Sequence, residues 1–230
     1  SEPRVDGPAE AELSETLLAQ GIDVTALAVD ETGALQSSLP LALDIEDLPL
    51  LGKEQLRNLG LLGEGGMGSV DRAVQLSLGR EVAAKRASRD DAKAALVTEA
   101  RITGYLEHPN IAPVHTLGRD EEGEVLLVMK RIEGRSWSSA AQDLSLEEHL
   151  RIVSELCKAV HFAHTRGVLH RDIKPDNVMM DAFGEVYLMD WGIAVAYDDK
   201  APQGLPRAAA ESLAGTPTFM AAEMLDTAVD

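Results

Sequence analysis

The sequence has little of several residue types on which large classes of proteins depend. Among its 230 residues there is one cysteine, Cys157, so an internal disulfide is excluded and a reducing, cytoplasmic setting is expected. Cys157 itself fits a small buried hydrophobe on a helix better than a catalytic nucleophile. No run of apolar residues approaches the roughly 18–20 that a membrane-spanning helix needs, so no membrane segment is expected. The acidic beginning of the sequence also argues against a signal or transit peptide.

Basic residues are scarce as well, at 21 lysines and arginines against 39 aspartates and glutamates, and the net charge is −18. Nucleic-acid binding is therefore not expected, because it needs clustered basic side chains to neutralise phosphates. The charge is uneven, since residues 1–50 contain eleven acidic residues and a single basic one, Arg4. We interpret residues 1–55 as an acidic N-terminal extension, partly disordered, with a short helix over 10–20 and a loop over 32–40.

Near residue 56 the pattern changes to strands and helices. The sequence predicts three strands, a helix and a hairpin, and then a second helix followed by short strands. These elements cover residues 59–62, 69–74, 80–85, 92–106 (helix), 112–117 with 125–129 (hairpin), 145–166 (helix), 168–169, 178–180 and 186–189. Because strands and helices do not alternate strictly, the order favours an α+β fold with two lobes over a doubly wound sheet.

The helix over residues 145–166 has the clearest pattern. Ser145 and Glu148 form a capping box at its start, and Gly167 ends it. An apolar stripe is predicted to face the core, and it consists of Leu146, Leu150, Val153, Cys157 and Val160.

A glycine-rich segment spans residues 63–70 and fits the pattern G-x-G-x-x-G-x-V. Glycines let a backbone approach phosphate oxygens and offer them N–H donors. By itself the pattern is weak, because dinucleotide-binding folds use a similar one, although those folds need a helix directly afterwards. Here β-prone residues follow, which favours a phosphate-binding turn between two strands.

Lys85 lies on a predicted strand, 15 residues after Val70 and among small apolar residues. A half-buried lysine needs an anionic partner, and Glu99 on the following helix can face back towards it. The alternative interpretation is a surface lysine, which is the usual environment of this residue type.

Two later segments carry the most specific pattern. Residues 170–177 read His-Arg-Asp-Ile-Lys-Pro-Asp-Asn, and residues 190–192 read Asp-Trp-Gly. They resemble the catalytic loop and the metal-binding triplet of eukaryotic-like, bacterial-type serine/threonine protein kinases. The glycine segment, Lys85 and Glu99 precede them in the order of that family, and Gly-Thr-Pro (215–217) and Ala-Ala-Glu (221–223) follow. The resemblance covers roughly residues 56–230.

The resemblance implies a site for ATP and a divalent metal, Mg²⁺ with Mn²⁺ as the alternative. Asp172 would accept or orient the proton of the substrate hydroxyl, and Lys174 would touch the γ-phosphate. Lys85 would hold the α- and β-phosphates while it pairs with Glu99. The spacing of Lys174 after Asp172 resembles serine/threonine kinases more than tyrosine kinases.

The resemblance also implies the metal ligands and the walls of the nucleotide pocket. Asn177 and Asp190 would hold the metal. The adenine would lie between Val70 and Ala83 above and Met179 below, beside a hinge over residues 130–132. The complete set of implied nucleotide-binding residues is Gly63, Glu64, Gly65, Gly66, Gly68, Val70, Ala83, Lys85, the gatekeeper Met129, the hinge residues Lys130 and Ile132, and Met179.

The fold implied by the resemblance is two-lobed and protein-kinase-like. A β-rich N-lobe would span residues 56–132, and an incomplete helical C-lobe with the catalytic loop and the activation segment would span 133–230. The implied function is transfer of the ATP γ-phosphate to serine or threonine hydroxyls of a protein substrate. The alternative is an ATP-binding pseudokinase or scaffold that is inactive in this form. A small-molecule kinase is disfavoured by Lys174 and by Thr216 in the Gly-Thr-Pro segment.

Some positions depart from the family pattern. Trp191 replaces the phenylalanine of the metal-binding triplet, and we expect His170 to pack against it rather than to bind zinc. Ala222 stands where the family has a proline. The family's lower lobe continues beyond Glu223, so we expect either a longer natural protein or a partner or second copy that covers the apolar face of the 145–166 helix.

A regulatory site is suggested by Arg171. An arginine before the catalytic aspartate resembles kinases that are controlled by phosphorylation of the activation loop, because a phosphate there pairs with this arginine. Ser212 is the candidate position, with an unmodified loop serine as the alternative.

Overall fold

The computed structural model of the chain describes residues 28–29, 35–36, 45–65, 68–87, 89–198, 201, 205 and 214–220. Several sequence predictions lie outside these residues, namely the helix over 10–20, the roles of Gly66 and Ser212, and the Ala-Ala-Glu segment at 221–223. The chain divides into two compact units, Ser1–Ala42 and Leu43–Asp230.

The first unit is described over two short strands. β1 (Ala28–Val29) and β2 (Leu35–Gln36) pair in an antiparallel ladder. The second of these strands lies within the segment that the sequence predicted as a loop.

Five antiparallel strands form the main sheet of the second unit. Along the chain they are β3 (Leu56–Gly65), β4 (Gly68–Gln75), β5 (Arg80–Ala87), β6 (Val114–Arg119) and β7 (Val125–Lys130), and across the sheet the order is β3-β4-β5-β7-β6. The predicted strands and hairpin are confirmed to within a few residues. β3, however, continues to Gly65, so the first half of the glycine segment is strand rather than turn.

Helix α1 (Asp90–Tyr105) connects β5 to β6 and covers one face of this sheet. Leu96, Val97 and Ala100 recur at helical spacing and are buried in one apolar cluster with Val125 and Leu127 of β7. The packing fixes the helix against the centre of the sheet and so sets the distance from its side chains to those of β5.

A segment before β3 packs on the open edge of the same sheet. We call residues 45–52 the N-terminal strap. It begins with a 3₁₀ turn, Ile45–Asp47, and Leu50 then forms a parallel bridge with Arg119 of β6. The compact unit begins at Leu43, so it includes the last thirteen residues of the predicted extension, 43–55.

The remaining elements surround a long helix. β8 (Gly134–Ser136) leads into the short helix α2 (Trp137–Ala140), and α3 (Leu146–Thr165) follows. Two small antiparallel sheets come next: β10 (Val178–Asp181) lies between β11 (Val186–Leu188) and β8, and β9 (Val168–Leu169) pairs with β12 (Val195–Ala196). These pairings hold the loop after β9 beside the loop after β11, and those loops carry the two most specific sequence segments.

Helix α3 confirms the predicted helix and its cap. The backbone N–H of Ser145 donates to the Glu148 carboxylate at 2.7 Å, and the N–H of Glu148 donates to the Ser145 hydroxyl at 3.3 Å. This reciprocal pair is the capping box that the sequence predicted.

The predicted buried face of α3 is wrong. Leu146, Leu150 and Val153 are 74%, 62% and 42% exposed, and Cys157 is exposed too. The buried residues are instead Ile152, Leu156, Ala159 and Ala163. Both stripes repeat at helical spacing, so periodicity could not choose between them. The stripe that contains two alanines is buried where α3 meets β9 and β11. The expectation that another surface covers the exposed stripe stays a prediction.

Candidate active site

A buried ion pair links the sheet to helix α1. Lys85 lies in the interior of β5, opposite Leu127 of β7, and its Nζ is 2.8 and 2.7 Å from the two carboxylate oxygens of Glu99. Asp190, from the loop after β11, approaches the same Nζ at 3.4 Å. The two carboxylates hold the pKa of Lys85 above its ordinary value, against the opposing effect of burial. Lys85 is therefore a fixed positive charge, while burial raises the pKa of the Glu99 carboxyl.

The loop after β9 presents a second charged cluster centred on Asp172. Its carboxylate accepts hydrogen bonds from Lys174 Nζ at 2.7 Å, from Asn177 Nδ2 at 3.0 Å and from the Thr216 hydroxyl at 2.7 Å. The Thr216 backbone N–H also donates to it, at 3.0 Å. A 3₁₀ turn over Pro175–Asn177 brings Asn177 back towards Asp172, which explains the fixed spacing of these residues in the sequence.

These hydrogen bonds determine the charge of Asp172. Burial acts to raise the pKa of its carboxyl, but the bonds from Lys174, Thr216 and Asn177 outweigh it, and the pKa lies below its ordinary value. Asp172 is consequently ionised at neutral pH. A carboxylate of such low basicity can align a hydroxyl group and accept its proton late in a reaction.

His170 supports the loop from behind. Its Nε2 bonds to the carbonyl oxygen of Met189 at 3.0 Å, and its Nδ1 accepts the N–H of Asp172 at 3.2 Å. These partners assign the neutral tautomer that carries its proton on Nε2. Burial lowers the pKa of His170, and its ring packs on Trp191 with the centroids 4.5 Å apart. The expectation that His170 packs on Trp191 is thus met in the structure.

Two residues of the site have a left-handed backbone although neither is glycine. Arg171 has φ of 72° and Asp190 has φ of 60°. Such conformations cost free energy and persist where the surroundings impose them, often at functional sites. Arg171 directly precedes Asp172, and Asp190 belongs to the cluster around Lys85. The backbone turns at these two residues direct the side chains of Asp172 and Asp190 towards the same cleft.

The predicted metal ligands offer an incomplete set of hard oxygen donors. Asn177 Nδ2 donates to the Asp172 backbone carbonyl at 2.8 Å and to its carboxylate, which orients the side-chain oxygen of Asn177 without using it. Within the described residues, no group of three or more histidine, cysteine, aspartate or glutamate side chains could hold a metal. One carboxylate and one amide oxygen fit a hard divalent cation that takes its other ligands from water and from a phosphorylated substrate.

Both clusters open into one cleft of about 630 Å³ between the sheet and the α3 lobe. Nearly all the predicted site residues line it: Gly63, Glu64, Gly68, Val70, Ala83, Lys85, Glu99, Met129, Lys130, Ile132, Asp172, Lys174, Asn177, Met179 and Asp190. Gly65 is described as the end of β3, and Gly66 is outside the described residues. A cleft that combines apolar walls with these charged side chains suits a nucleoside triphosphate.

Three residues that line the cleft escaped the sequence analysis, namely Leu62, Asp176 and Met189, whereas Arg131 lies within the predicted hinge over residues 130–132. Leu62 directly precedes the glycine segment, and Met189 directly precedes Asp190. Asp176 likewise directly precedes the predicted site residue Asn177. Adjacency in sequence to a predicted site residue is the signal that could have identified them.

The hinge after β7 is anchored to the lower lobe by one side chain. Lys130 Nζ bonds to the hydroxyl of Tyr187 on β11, lies 4.4 Å from the centroid of that ring, and is 3.3 Å from Glu185. Tyr187 in turn donates to Glu185. These contacts hold the hinge, which connects the main sheet to the α3 lobe, in place beside the cleft.

Comparison with known proteins agrees with this architecture. The family model described as the protein kinase domain matches residues 56–229. The chain therefore belongs to the protein kinase family, and the predicted family and two-lobed α+β fold are confirmed. Members of this family use ATP and a divalent metal ion.

Among curated proteins, the chain is similar to serine/threonine-protein kinases named PknD. The protein of Chlamydia trachomatis serovar L2b is 39% identical over 154 residues, which cover 59% of this chain and 16% of that protein. The protein of Chlamydia caviae is 33% identical over 196 residues, 72% of this chain and 21% of that protein. The protein of Chlamydia pneumoniae is 36% identical over 155 residues, again 59% and 16%.

The chain thus spans about a sixth to a fifth of the length of these relatives. Within the described part of the chain, no helix is both long enough and apolar enough to cross a membrane.

Proposed function

We propose that this chain transfers the γ-phosphoryl group of ATP to a serine or threonine hydroxyl of a protein. The observation that carries the proposal is the carboxylate of Asp172, which is ionised, open to the cleft and flanked by Lys174 and Asn177. Phosphoryl transfer needs alignment and charge neutralisation more than covalent chemistry, and this cluster supplies both.

Each charged side chain has a defined task in this reaction. Asp172 orients the substrate hydroxyl, whose oxygen attacks the γ-phosphorus while the bond from that phosphorus to the bridging oxygen of ADP breaks. The hydroxyl proton passes to the Asp172 carboxylate as the new bond forms. Lys85, held by Glu99, neutralises the α- and β-phosphates, and Lys174 neutralises the transferred group.

The proposed metal is Mg²⁺, with Mn²⁺ as the alternative. Asn177 and Asp190 would hold it, since both line the cleft and supply hard oxygen donors. When bound, the ion neutralises phosphate charge. The 3.4 Å approach of Asp190 to Lys85 places that carboxylate beside the side chain that would hold the phosphates.

The contact between Thr216 and Asp172 supports an aliphatic hydroxyl as the acceptor. The Thr216 hydroxyl donates to Asp172 at 2.7 Å and accepts from Lys174 at the same distance. These are the bonds that a substrate serine or threonine hydroxyl would need, and they show that a group of this size fits between the two charges. Membership of the protein kinase family supports a protein as the acceptor. The proposed compartment is the cytoplasm, because it provides ATP and keeps Cys157 reduced.

The pseudokinase alternative requires that a catalytic group be missing or turned away. Within the described residues, Lys85, Glu99, Asp172, Asn177 and Asp190 are all present and all line the cleft. No feature of this arrangement favours the alternative.

The test is phosphotransfer from γ-labelled ATP to a generic basic protein. The variant Asp172→Asn keeps the size of the side chain but removes its charge, so we expect labelling to fall by at least about a hundredfold. Asp143→Asn is the matched control, because Asp143 is an exposed aspartate that pairs with Arg135 at the surface. Equal labelling by Asp172→Asn and the wild type would refute the proposed role of Asp172.

A further inference from the structure

The N-terminal strap completes the edge of the main sheet. The N–H of Leu51 donates to the carbonyl of Arg119 at 2.7 Å, and the N–H of Arg119 donates to the carbonyl of Pro49 at 2.9 Å. Arg119 Nε also donates to the carbonyl of Leu48 at 3.3 Å. The strap is therefore bound through its backbone as a short sixth strand beside β6, and it covers an edge that would otherwise be open.

One side chain of the strap enters the core between the sheet and helix α1. Leu48 is only 4% exposed and belongs to the same buried cluster as Leu96, Val97 and Ala100 of that helix. Ile45 packs against the same cluster from the start of the strap. These helix residues lie within three positions of Glu99, which reaches Lys85 from the same turns of α1.

Side chains of the strap pack on both faces of the sheet at this edge. Leu51 packs on the opposite side from Leu48, against the cluster of Ala73, Val82, Ala84 and Val128. Gly118 of β6 makes this close approach possible, because a Cβ at that position would lie 2.5 Å from the Leu51 side chain and 2.6 Å from the Pro49 carbonyl oxygen. A single added methyl group at residue 118 is thus incompatible with the present position of the strap.

We infer that the strap positions helix α1 for catalysis, and that Leu48 is a positioning residue acting through Glu99 on Lys85. The inference rests on the proposed kinase function. Lys85 can hold phosphates in the required place only while Glu99 faces it, and Glu99 faces it only while α1 lies close to β5. Leu48 fills the space that keeps the helix at this distance. Since residues 45–52 precede the matched kinase domain, this segment of the chain controls the site from outside the family pattern.

The inference is tested with the full chain and point variants. Leu48→Asp places a charge in the apolar cluster and should release the strap, and we expect kcat to fall about tenfold, within the roughly 5–150-fold range of coupled sites. Because Leu48 does not touch the substrate, KM for the protein substrate should stay within about twofold of the wild-type value. Leu50→Asp is the matched control, since Leu50 lies in the same strap but is 55% exposed, and its kcat should equal that of the wild type. Leu48→Met, of similar volume, should retain activity.

A second variant and a rescue separate positioning from general destabilisation. Gly118→Ala leaves the apolar cluster intact and displaces the strap by collision, so its kcat should fall in the same way, and it decides the question if Leu48→Asp does not fold. A wild-type peptide of residues 43–55, added in trans to the Leu48→Asp protein, should restore kcat in a saturable manner. A peptide that itself carries Leu48→Asp should not restore it.

The outcomes are distinct. An inactive wild type would overturn the proposed function, whatever the variants do. An active wild type with unchanged kcat in Leu48→Asp and Gly118→Ala would overturn the role of the strap and leave the kinase proposal standing. Lower thermal stability without a change in kcat would also count against the inference, because it would show that the strap only stabilises the fold.

Discussion

The charged residues of the cleft form two clusters of hydrogen-bonded and ion-paired side chains. Lys85, Glu99 and Asp190 form one, and Asp172 with its three donors forms the other. Lys85 and Glu99 have side chains that are only 13% and 7% exposed. Removing either partner would leave a buried charge uncompensated, which is why these residues act as units rather than as independent contacts.

His170 makes the site sensitive to acid. The pKa of His170 is lowered by burial from its ordinary value of 6.5, so the unfolded chain binds this proton at a higher pH than the folded chain does. The free energy of unfolding should therefore decrease as the pH falls below about 6.5, and the decrease should stop once the folded protein is also protonated. The variant His170→Gln has no imidazole to take up this proton, so its free energy of unfolding should depend less steeply on pH in denaturant titrations between pH 7.5 and 5.5.

The matched control for this prediction is His161→Gln, which replaces an exposed histidine on α3. A single titrating group changes stability by at most about 1.4 kcal/mol per pH unit, which sets the largest difference in slope to expect. If the wild type and His170→Gln had the same slope, the buried neutral imidazole would be contradicted.

At the scale of elements, helix α3 illustrates how one helix can present two apolar stripes. The stripe of Ile152, Leu156, Ala159 and Ala163 is buried, whereas the stripe that begins with Leu146 and Leu150 is exposed. Only the contacts with β9 and β11 distinguish them. The two alanines on the buried stripe have small side chains that suit close packing, which the larger side chains on the other stripe would prevent.

Substitutions on the two stripes should have very different costs. Ile152→Ala removes a side chain that is fully buried and should lower the free energy of unfolding by about 2–5 kcal/mol. Leu150→Ala, at 62% exposure, should change it by less than about 0.5 kcal/mol. Denaturant titration of both variants measures this contrast. A cost above 1.5 kcal/mol for Leu150→Ala would mean that another surface covers the exposed stripe.

At the scale of the whole catalytic unit, the cleft couples the sheet to the α3 lobe. Residues of β5, the hinge and the loops after β9 and β11 all line it. A nucleotide bound there contacts both lobes and should stabilise them together, by about 2.7 kcal/mol at a hundredfold excess over its Kd. The expected thermal shift with ATP is larger when Mg²⁺ is present.

Asp190→Asn should reduce the contribution of the metal. We expect this variant to show the same thermal shift with ATP in the presence and absence of Mg²⁺, because the substitution removes the one negatively charged group of the two proposed metal ligands. Asp143→Asn should retain the wild-type difference between the two conditions. A normal response to Mg²⁺ in Asp190→Asn would remove Asp190 from the metal site.

The family and most of the residues that line the cleft could be predicted from the order of residues. Phosphoryl transfer requires particular groups, such as Asp172 and Lys174, at a fixed spacing in one loop, and such local spacing is visible without any structure. The strands and the cap of α3 were likewise predictable, because they depend on alternation and on residues three apart.

Local patterns do not reveal which face of α3 is buried, where the strap binds, or which side chains complete the cleft. Each of these depends on contacts between segments distant in the sequence, such as Leu48 with Leu96 or Lys130 with Tyr187. The strap lacks any pattern of its own, since backbone hydrogen bonds to Arg119 and a glycine at residue 118 hold it in place. Neither its backbone pairing nor the space beside Gly118 exists until β6 has formed, and so neither could be deduced from the order of residues alone.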